Sequence, residues 1–254
     1  MQISIIQSAL VWENPFENRN HFEKQFYSVP TNSDLVILPE MFTSGFTMQP
    51  KNVSETMEGE TMHWLKFNAK KFGFAIMGSL VIIDNGTYYN RLVFVTPDGM
   101  IEFYNKRHLF TLAGENEMYE AGKEKKIFEY KNWRICPQIC YDLRFPVFAR
   151  NTENYDLLIY VANWPEPRIH AWDVLLQARA IENMSYVVGV NRIGTDDNEH
   201  SYPGHSQIVD FMGKNMISAE NKAGIFTSIL SKEALEHARN RFKFLGDRDD
   251  FRLV

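Results

Sequence analysis

Two short apolar segments, "DLVILPE" (34–40) and "DLLIYVAN" (156–163), constrain the fold of this chain more than any other feature. Each has the length and composition of a buried strand, and each is followed in the sequence by a helical pattern, a further strand and a hairpin. No linker rich in proline, glycine or serine separates the two series. The sequence therefore predicts a single α/β domain over residues 1–254, built from two similar halves with sheets inside and helices outside.

Capping residues, turn residues and the spacing of apolar residues indicate helices and turns in both halves. Asn14 is a candidate N-cap followed by proline, and Gly73 ends a second helix whose apolar residues recur at helical spacing. The segments 85–86 ("NG") and 97–99 ("PDG") predict hairpin turns. In the second half, "HAWDVLLQARAIENM" (170–184) predicts a helix with one apolar face.

The C-terminal residues 231–254 form a distinct segment. Ser231 is a candidate cap for a helix, and the remainder predicts an extended arm of aromatic and charged residues. Such an arm can cover its own subunit or reach another one. We expect a homodimer.

Composition and charge exclude several classes of protein. The 254 residues are 44% hydrophobic with a formal net charge of −5, so no basic surface suggests nucleic acid as a partner. The longest apolar run (74–83) is about half the length of a membrane span, and the N-terminus lacks the features of a signal peptide. Cys136 and Cys140 are too few for a disulfide framework, so we expect reduced thiols in the cytoplasm and no membrane partner.

Three chemically reactive residues follow three predicted strands. Glu40 ends the first apolar segment, Lys106 follows "MIEFYN" (100–105), and Cys140 ends "RICPQIC" (134–140). In open α/β sheets, functional side chains emerge at the carboxyl ends of strands. We therefore expect a carboxylate, an ammonium and a thiol to converge there.

This set of groups supports hydrolysis through a covalent thioester. A thiol is only a few per cent ionised at neutral pH, so Cys140 needs a base such as Glu40 to attack a carbonyl or nitrile carbon. Lys106 and the backbone N–H of Tyr141 can stabilise the resulting oxyanion. Protonated Glu40 can then give its proton to departing ammonia, and can later activate the water that cleaves the thioester.

Several stretches resemble, in order, the signatures of the nitrilase, or carbon–nitrogen hydrolase, superfamily: "LPEMFTSGF", "YNKRHLF", "GENEMYEAG", "ICYDLRFP", "VANWP" and "ARAIENMSYVVGVNR". The resemblance implies a four-layer α-β-β-α sandwich of two similar halves. It also implies a catalytic triad of Glu40, Lys106 and Cys140. The family's second glutamate falls on Glu115, with Glu117 as the alternative in the same segment.

In the residues that they contain, these stretches are similar to those of the ω-amidase-like branch of the family. Its members hydrolyse the terminal amide of 2-oxoglutaramate or 2-oxosuccinamate, so the implied partners are a small amide substrate and water. Arg144 could bind the substrate carboxylate through a bidentate fork or pair with a structural carboxylate. The expected walls of the substrate pocket are Phe42, Phe110, Tyr141 and Trp164. Nitrilases and N-carbamoyl amidohydrolases share the same triad, and both stay open as alternatives.

Two further hypotheses belong to other classes. Cys140, His170 and Asn191 have the order of a papain-like triad, although "CYDLRFP" does not predict a helix starting at the cysteine. The sandwich could also be a non-catalytic binding or assembly module with an inert Cys140. Apart from the weak pair His200 and His205, no metal-ligand spacing occurs, and no glycine-rich phosphate loop is present. We therefore expect neither a metal nor a cofactor.

Overall fold

The structure, a computed structural model, describes residues 1–252. Its strands, in chain order, are β1 (Gln2–Gln7), β2 (Leu35–Ile37), β3 (Ala75–Asp84), β4 (Thr87–Val95), β5 (Ile101–Asn105), β6 (Phe128–Tyr130), β7 (Trp133–Ile139), β8 (Leu157–Ala162), β9 (Tyr186–Asn191), β10 (Ile193–Thr195), β11 (Ser201–Pro203), β12 (Gln207–Val209), β13 (Asn215–Ser218) and β14 (Gly224–Ile229). One six-stranded sheet has the order β14-β1-β2-β3-β4-β5, and the other has the order β13-β12-β9-β8-β7-β6. Strands β10 and β11 form a separate two-stranded ribbon.

The two large sheets have the same topology. In each, three parallel strands (β1-β2-β3 and β7-β8-β9) have one antiparallel neighbour on one side, and on the other side an antiparallel strand followed by a strand that again runs with the central three. The two halves also match at the aspartate that directly precedes the middle parallel strand of each sheet, β2 or β8. The carboxylate of Asp34 accepts the backbone N–H of Gln2 at 2.7 Å, and that of Asp156 accepts the backbone N–H of Arg134 at 2.9 Å. The prediction of two similar halves is confirmed.

The helices are α1 (Pro15–Phe26), α2 (Pro50–Val53), α3 (Glu60–Phe72), α4 (Glu115–Met118), α5 (Pro146–Ala149), α6 (Ile169–Asn183) and α7 (Lys232–Phe242). Asn14 caps α1, because its side chain accepts the backbone N–H of Glu17 at 3.1 Å. Gly73 ends α3 in the left-handed conformation, with φ 77°. Within residues 1–252, no helix is both long and apolar enough to cross a membrane.

Alternation along the strands builds the layers. Leu35 and Ile37 of β2 face the other sheet and join a buried cluster that contains Ile159 of β8. Val36, between them, faces outward and packs with Phe22 of α1 and other residues of α1 and α3. The outer face of the second sheet packs in the same way against Trp172, Leu176 and Ala180 of α6. The layer order is therefore α-β-β-α, as predicted.

Two features of the C-terminal region were not expected from the sequence. Strand β14 pairs antiparallel with β1, so a segment from the end of the chain completes the first sheet. After α7, which is capped by Ser231, the predicted extended arm begins with a 3₁₀ turn over Phe244–Asp247. The last two residues of the predicted segment, 253 and 254, lie outside the described residues.

The topology brings several strand ends to one edge of the sandwich. Strand β5 runs in the same direction as β2, because β4 is antiparallel to both β3 and β5. The carboxyl ends of β2 and β5 therefore lie at the same edge of the first sheet. The parallel strands β7 and β8 end beside them, and a hydrogen bond from Asn163 to Glu40 joins the two sheets there.

Candidate active site

Glu40 lies three residues beyond β2, and its side chain is fully buried. Its Oε1 accepts hydrogen bonds from Lys106 Nζ at 2.9 Å and Asn90 Nδ2 at 2.8 Å. Its Oε2 accepts the backbone N–H of Asn163 at 2.8 Å. The carboxylate is thus held between the two sheets, with its charge balanced by an ammonium group.

Lys106 directly follows β5 and extends its side chain into the same buried region. Besides Glu40, its Nζ donates to Oε1 and Oε2 of Glu115 at 3.0 and 2.9 Å. Burial alone would lower the pKa of Lys106, but the carboxylates of Glu115 and Glu40 outweigh it and raise the pKa. Lys106 therefore stays protonated at neutral pH.

Glu115 starts the short helix α4 and is fully buried. Its Oε2 also accepts the backbone N–H of Phe110 at 2.6 Å, which ties this glutamate to a wall of the adjoining cavity. Burial raises the pKa of Glu115, as does the nearby Glu40 carboxylate, while Lys106 lowers it. Of the two glutamates left open by the sequence, Glu115 contacts Lys106, and Glu117 is exposed.

Cys140 follows β7 at once and begins a 3₁₀ turn over Cys140–Arg144. Its φ of 44° is in the left-handed region, which costs a residue with a β-carbon about 1–2 kcal/mol. Its Sγ lies 4.0 Å from the carbonyl oxygen of Asn163. Burial raises the pKa of the thiol well above its usual range, and so does the Glu40 carboxylate, while Lys106 opposes them. At rest the sulfur is therefore a neutral thiol beside a carboxylate.

A cavity of about 490 Å³ opens above Cys140. Three of the four predicted wall residues line it, namely Tyr141, Trp164 and Phe110, and so does Arg144, the candidate ligand of the substrate carboxylate. Further lining residues come from the segments around Trp12, Phe46 and Arg168 and from the turn between β10 and β11. The cavity is large enough for a substrate of a few carbon atoms. Cys140 lines it, whereas Glu40 and Lys106 are buried behind its wall.

Comparison with known proteins identifies the family of this chain. A family model described as carbon-nitrogen hydrolase matches residues 5–239. The chain belongs to the carbon-nitrogen hydrolase family. The predicted membership of the nitrilase superfamily is therefore confirmed, and so is the prediction that the chain is an enzyme.

Relatives within this family match the whole chain. "Omega-amidase YafV" of Yersinia enterocolitica is 44% identical, over 100% of this chain and 99% of the relative. "2-oxoglutaramate amidase" of Bacillus subtilis is 32% identical over 96% of each chain. A crystal structure of a CN-hydrolase superfamily protein from Xanthomonas campestris, with an arsenic adduct in its active site, is 42% identical. It has a TM-score of 0.98 and covers 100% of this chain and 99% of its own.

The prediction that Phe42 lines the substrate pocket of this hydrolase is wrong. Phe42 is fully buried in the outer layer of the first sheet, with ring centroids 5.7 Å from Phe22 and 6.1 Å from Trp64. Gly78 makes room for this ring, because a β-carbon there would lie 2.9 Å from Phe42 Cδ1. Phe46, four residues further along the chain, lines the cavity and has its ring centroid 5.1 Å from Lys106 Nζ.

The two asparagines that hold Glu40 were not predicted from the sequence. Asn90 of β4 is fully buried, and its Nδ2 also lies 3.3 Å from Glu115 Oε1. Asn163 follows β8, and its Nδ2 donates to the backbone oxygen of Glu40 at 2.6 Å. A polar residue within or directly after an apolar strand, as in "YYNRLVFV" and "VANWP", was the available indication.

The papain-like hypothesis is not supported by the geometry of this hydrolase. Cys140 begins a short 3₁₀ turn and not an α-helix. His170 is exposed on α6, and the carboxamide of Asn191 is occupied by the backbone of Trp164 and Gly204. Neither residue lines the cavity above Cys140.

The histidines of the weak metal-ligand pair point to different partners. His200 Nδ1 lies 3.4 Å from Asp196, while His205 Nδ1 lies 3.0 Å from Asp173. Across residues 1–252, no group of three or more histidine, cysteine, aspartate and glutamate side chains is arranged to hold a metal ion.

Proposed function

We propose that this carbon-nitrogen hydrolase is an ω-amidase. It releases ammonia from the terminal amide of a small carboxylate-bearing substrate, such as 2-oxoglutaramate or 2-oxosuccinamate, through a thioester acyl-enzyme. The observation that carries the proposal is the convergence of Glu40, Lys106 and Cys140 beneath a cavity whose walls bear Arg144 and Arg168. The ω-amidase and 2-oxoglutaramate amidase names of the full-length relatives support it.

The first step forms the tetrahedral intermediate that precedes the thioester. Glu40 removes the proton from the Cys140 thiol as the sulfur attacks the amide carbon, because the raised pKa leaves little free thiolate at neutral pH. The carbonyl π electrons move to oxygen, and Lys106 Nζ with the backbone N–H of Tyr141 stabilises the oxyanion. Glu115 holds the ammonium in place through both of its oxygens.

The second half of the cycle releases both products. Protonated Glu40 transfers its proton to the amide nitrogen, the C–N bond breaks, and ammonia leaves the thioester behind. A water molecule then gives a proton to Glu40 and attacks the thioester carbon. Collapse of this intermediate breaks the C–S bond, reprotonates Cys140 and releases the carboxylic acid.

The charge of the cavity supports an anionic substrate. The guanidinium of Arg144 lies 5.1 Å from the ring centroid of Trp164, and that of Arg168 lies 5.0 Å from that of Phe110. Within the described residues, neither arginine has a carboxylate partner. The guanidinium donors are therefore available for a carboxylate of the substrate.

Asp196 does not neutralise these arginines. It is the only acidic residue among the cavity-lining residues that the structure describes. Its oxygens already accept the hydroxyl of Tyr202 at 2.7 Å and the backbone N–H groups of Asn198 and His200 at 3.0 Å. The cavity thus keeps an excess of positive charge above the thiol.

The test is ammonia release by the purified protein from a panel of compounds. We expect 2-oxoglutaramate and 2-oxosuccinamate to be hydrolysed with higher kcat/KM than the matching nitriles and N-carbamoyl compounds. Preference for a nitrile or a carbamoyl compound would replace the proposal with one of those activities. No ammonia from any member would favour a binding or assembly module.

We also propose that the enzyme is a homodimer. Phe244 and Phe251 of the C-terminal arm are 53% and 41% exposed, which supports burial of this arm by a second copy. Analytical ultracentrifugation of the full chain and of a variant ending at residue 242 tests this. We expect the full chain to sediment as a dimer and the shortened chain to dissociate; a monomeric full chain would contradict the proposal.

A further inference from the structure

We propose that Asp142 is a positioning residue that sets the separation of Lys106 and Cys140. The inference rests on the proposed function in one respect, namely that these two side chains act on the substrate. Asp142 lies two residues beyond Cys140 and is fully buried. It does not line the cavity, so it acts through other residues and not on the substrate.

The carboxylate of Asp142 joins the segments of both predicted catalytic residues. Its Oδ2 accepts the backbone N–H of Ile139 at 3.0 Å and the hydroxyl of Tyr104 at 2.8 Å. Its Oδ1 accepts the backbone N–H and Nδ1 of His108, at 2.9 and 2.8 Å. Ile139 directly precedes Cys140, whereas Tyr104 and His108 lie two residues before and after Lys106.

These contacts connect the two sheets at the site. Tyr104 belongs to β5 of the first sheet, and Ile139 ends β7 of the second. The hydroxyl of Tyr104 also accepts the backbone N–H of Arg107 at 3.1 Å, so the residue next to Lys106 belongs to the same network. One buried carboxylate therefore holds the chain on both sides of Lys106 and directly before Cys140.

The same side chain supports the unusual backbone of the nucleophile. Cys140 has a φ of 44°, and such a conformation persists only where surrounding contacts hold it. Asp142 forms hydrogen bonds at both ends of the turn. Its side chain accepts the backbone N–H of Ile139, and its backbone oxygen accepts the N–H of Phe145 at 3.0 Å.

Both oxygens of the Asp142 side chain are needed as acceptors for this set of partners. Three of its four partners are the backbone N–H groups of Ile139 and His108 and the hydroxyl of Tyr104, and the fourth is Nδ1 of His108. An asparagine would direct its NH₂ group toward two of these partners. We therefore expect Asp142→Asn to shift the turn of Cys140 relative to Lys106 while keeping nearly the same side-chain volume.

The experiment compares Asp142→Asn with Asp156→Asn. Asp156 is a matched control, because it is also buried and accepts a backbone N–H, from Arg134, but lies away from the cavity. For Asp142→Asn we expect kcat for 2-oxoglutaramate to fall about 100-fold with KM changed less than about threefold, since small misplacements of reacting groups lower the rate to this extent. For Asp156→Asn we expect a lower Tm and an unchanged kcat.

Two milder variants keep the test decisive if Asp142→Asn does not fold. Tyr104→Phe removes one hydrogen bond to Asp142, and His108→Phe removes another while retaining a ring to stack on Phe145, whose centroid is 3.8 Å away. We expect each to lower kcat about tenfold, as for loss of one bond to a charged group. Folded variants with the wild-type kcat would overturn the proposal.

Alkylation of Cys140 by iodoacetamide separates this inference from the proposed function. The reaction needs no amide substrate, so it remains informative even if the wild-type protein releases no ammonia from any ω-amide. We expect Asp142→Asn to slow alkylation at least about tenfold, because the thiol moves away from the Lys106 ammonium, which lowers its pKa and so favours the reactive thiolate. Equal alkylation rates in the wild type and in Asp142→Asn would contradict a positioning role, whatever the substrate.

Discussion

Glu40 and Lys106, 66 residues apart in the chain, form an ion pair at 2.9 Å in which neither side chain reaches solvent. Glu115 contacts the same ammonium at 2.9 Å and is equally buried. Two carboxylates thus share one cation in a region where isolated charges are strongly unfavourable. Lys106 consequently has a structural task, placing a positive charge between the two buried glutamates, in addition to its proposed role toward the oxyanion.

Removal of this cation is expected to destabilise the protein in a pH-dependent manner. Lys106→Met should lower the free energy of unfolding by about 3–5 kcal/mol at neutral pH, the usual cost of leaving a buried charge without its partner. Burial and Glu40 already raise the pKa of Glu115, and losing Lys106 raises it further. An acid with a higher pKa in the folded state stabilises the protein at low pH, so the variant should lose stability as the pH rises above about 4.3.

Urea denaturation between about pH 4.5 and about pH 8 checks this expectation. Lys66→Met is the control, because Lys66 is partly exposed and its partner Glu58 is largely exposed, so less than about 1 kcal/mol should be lost at any pH. A Lys106→Met variant that gains stability with rising pH would show that the two glutamates do not depend on Lys106.

The ionisation of Cys140 should respond to Glu40. Burial and the Glu40 carboxylate raise the pKa of the thiol, so Glu40→Gln should lower that pKa and increase the thiolate fraction at a given pH. Ammonia release should nevertheless fall about 10²–10⁴-fold, because the general base is lost. The thiolate absorbance across a pH titration measures the first effect, with Glu40→Gln/Cys140→Ala as the blank. An unchanged or higher pKa would contradict the proximity of the two groups.

The two cysteines should behave differently. Cys140→Ala is expected to reduce ammonia release to background with an unchanged Tm, whereas Cys136→Ala should retain kcat. Burial raises the pKa of Cys136 to about 12, and it lies outside the cavity. Iodoacetamide followed by mass spectrometry should label Cys140 first in the native protein, because Cys140 lines the cavity and Cys136 is fully buried. His170→Ala should be fully active; a loss as large as that of Cys140→Ala would revive the papain-like hypothesis.

The arginines of the cavity wall should determine affinity for the substrate carboxylate. Arg144→Gln and Arg168→Gln are each expected to raise KM for 2-oxoglutaramate about 10–100-fold, as for loss of a charge-assisted hydrogen bond. KM for butyramide, which lacks a carboxylate, should not increase. The surface variant Arg134→Gln serves as control, since this side chain is 42% exposed and pairs with Glu129. Equal effects on the charged and the neutral amide would indicate that the arginines only shape the cavity.

Local sequence was sufficient for the alternation of strands and helices in the two halves and for the approximate ends of the strands that carry the site. The periodicity of two in strands and the caps at Asn14 and Gly73 depend on neighbouring residues, and the structure agrees with them. Glu40, Lys106 and Cys140 could be selected for the same reason, since each stands where an apolar strand ends. The family resemblance added Glu115 but left Glu117 open.

Contacts between distant segments decided the remainder. Pairing of β14 with β1 and packing of Phe42 against Gly78 depend on residues far apart in the chain. Only the folded chain shows that Glu115, and not the exposed Glu117, contacts Lys106. The same holds for Asn163 and Asp142, whose partners lie across the two sheets. A strand pattern indicates which side chains alternate, but only packing of the two sheets determines which polar groups are close enough to share a hydrogen bond.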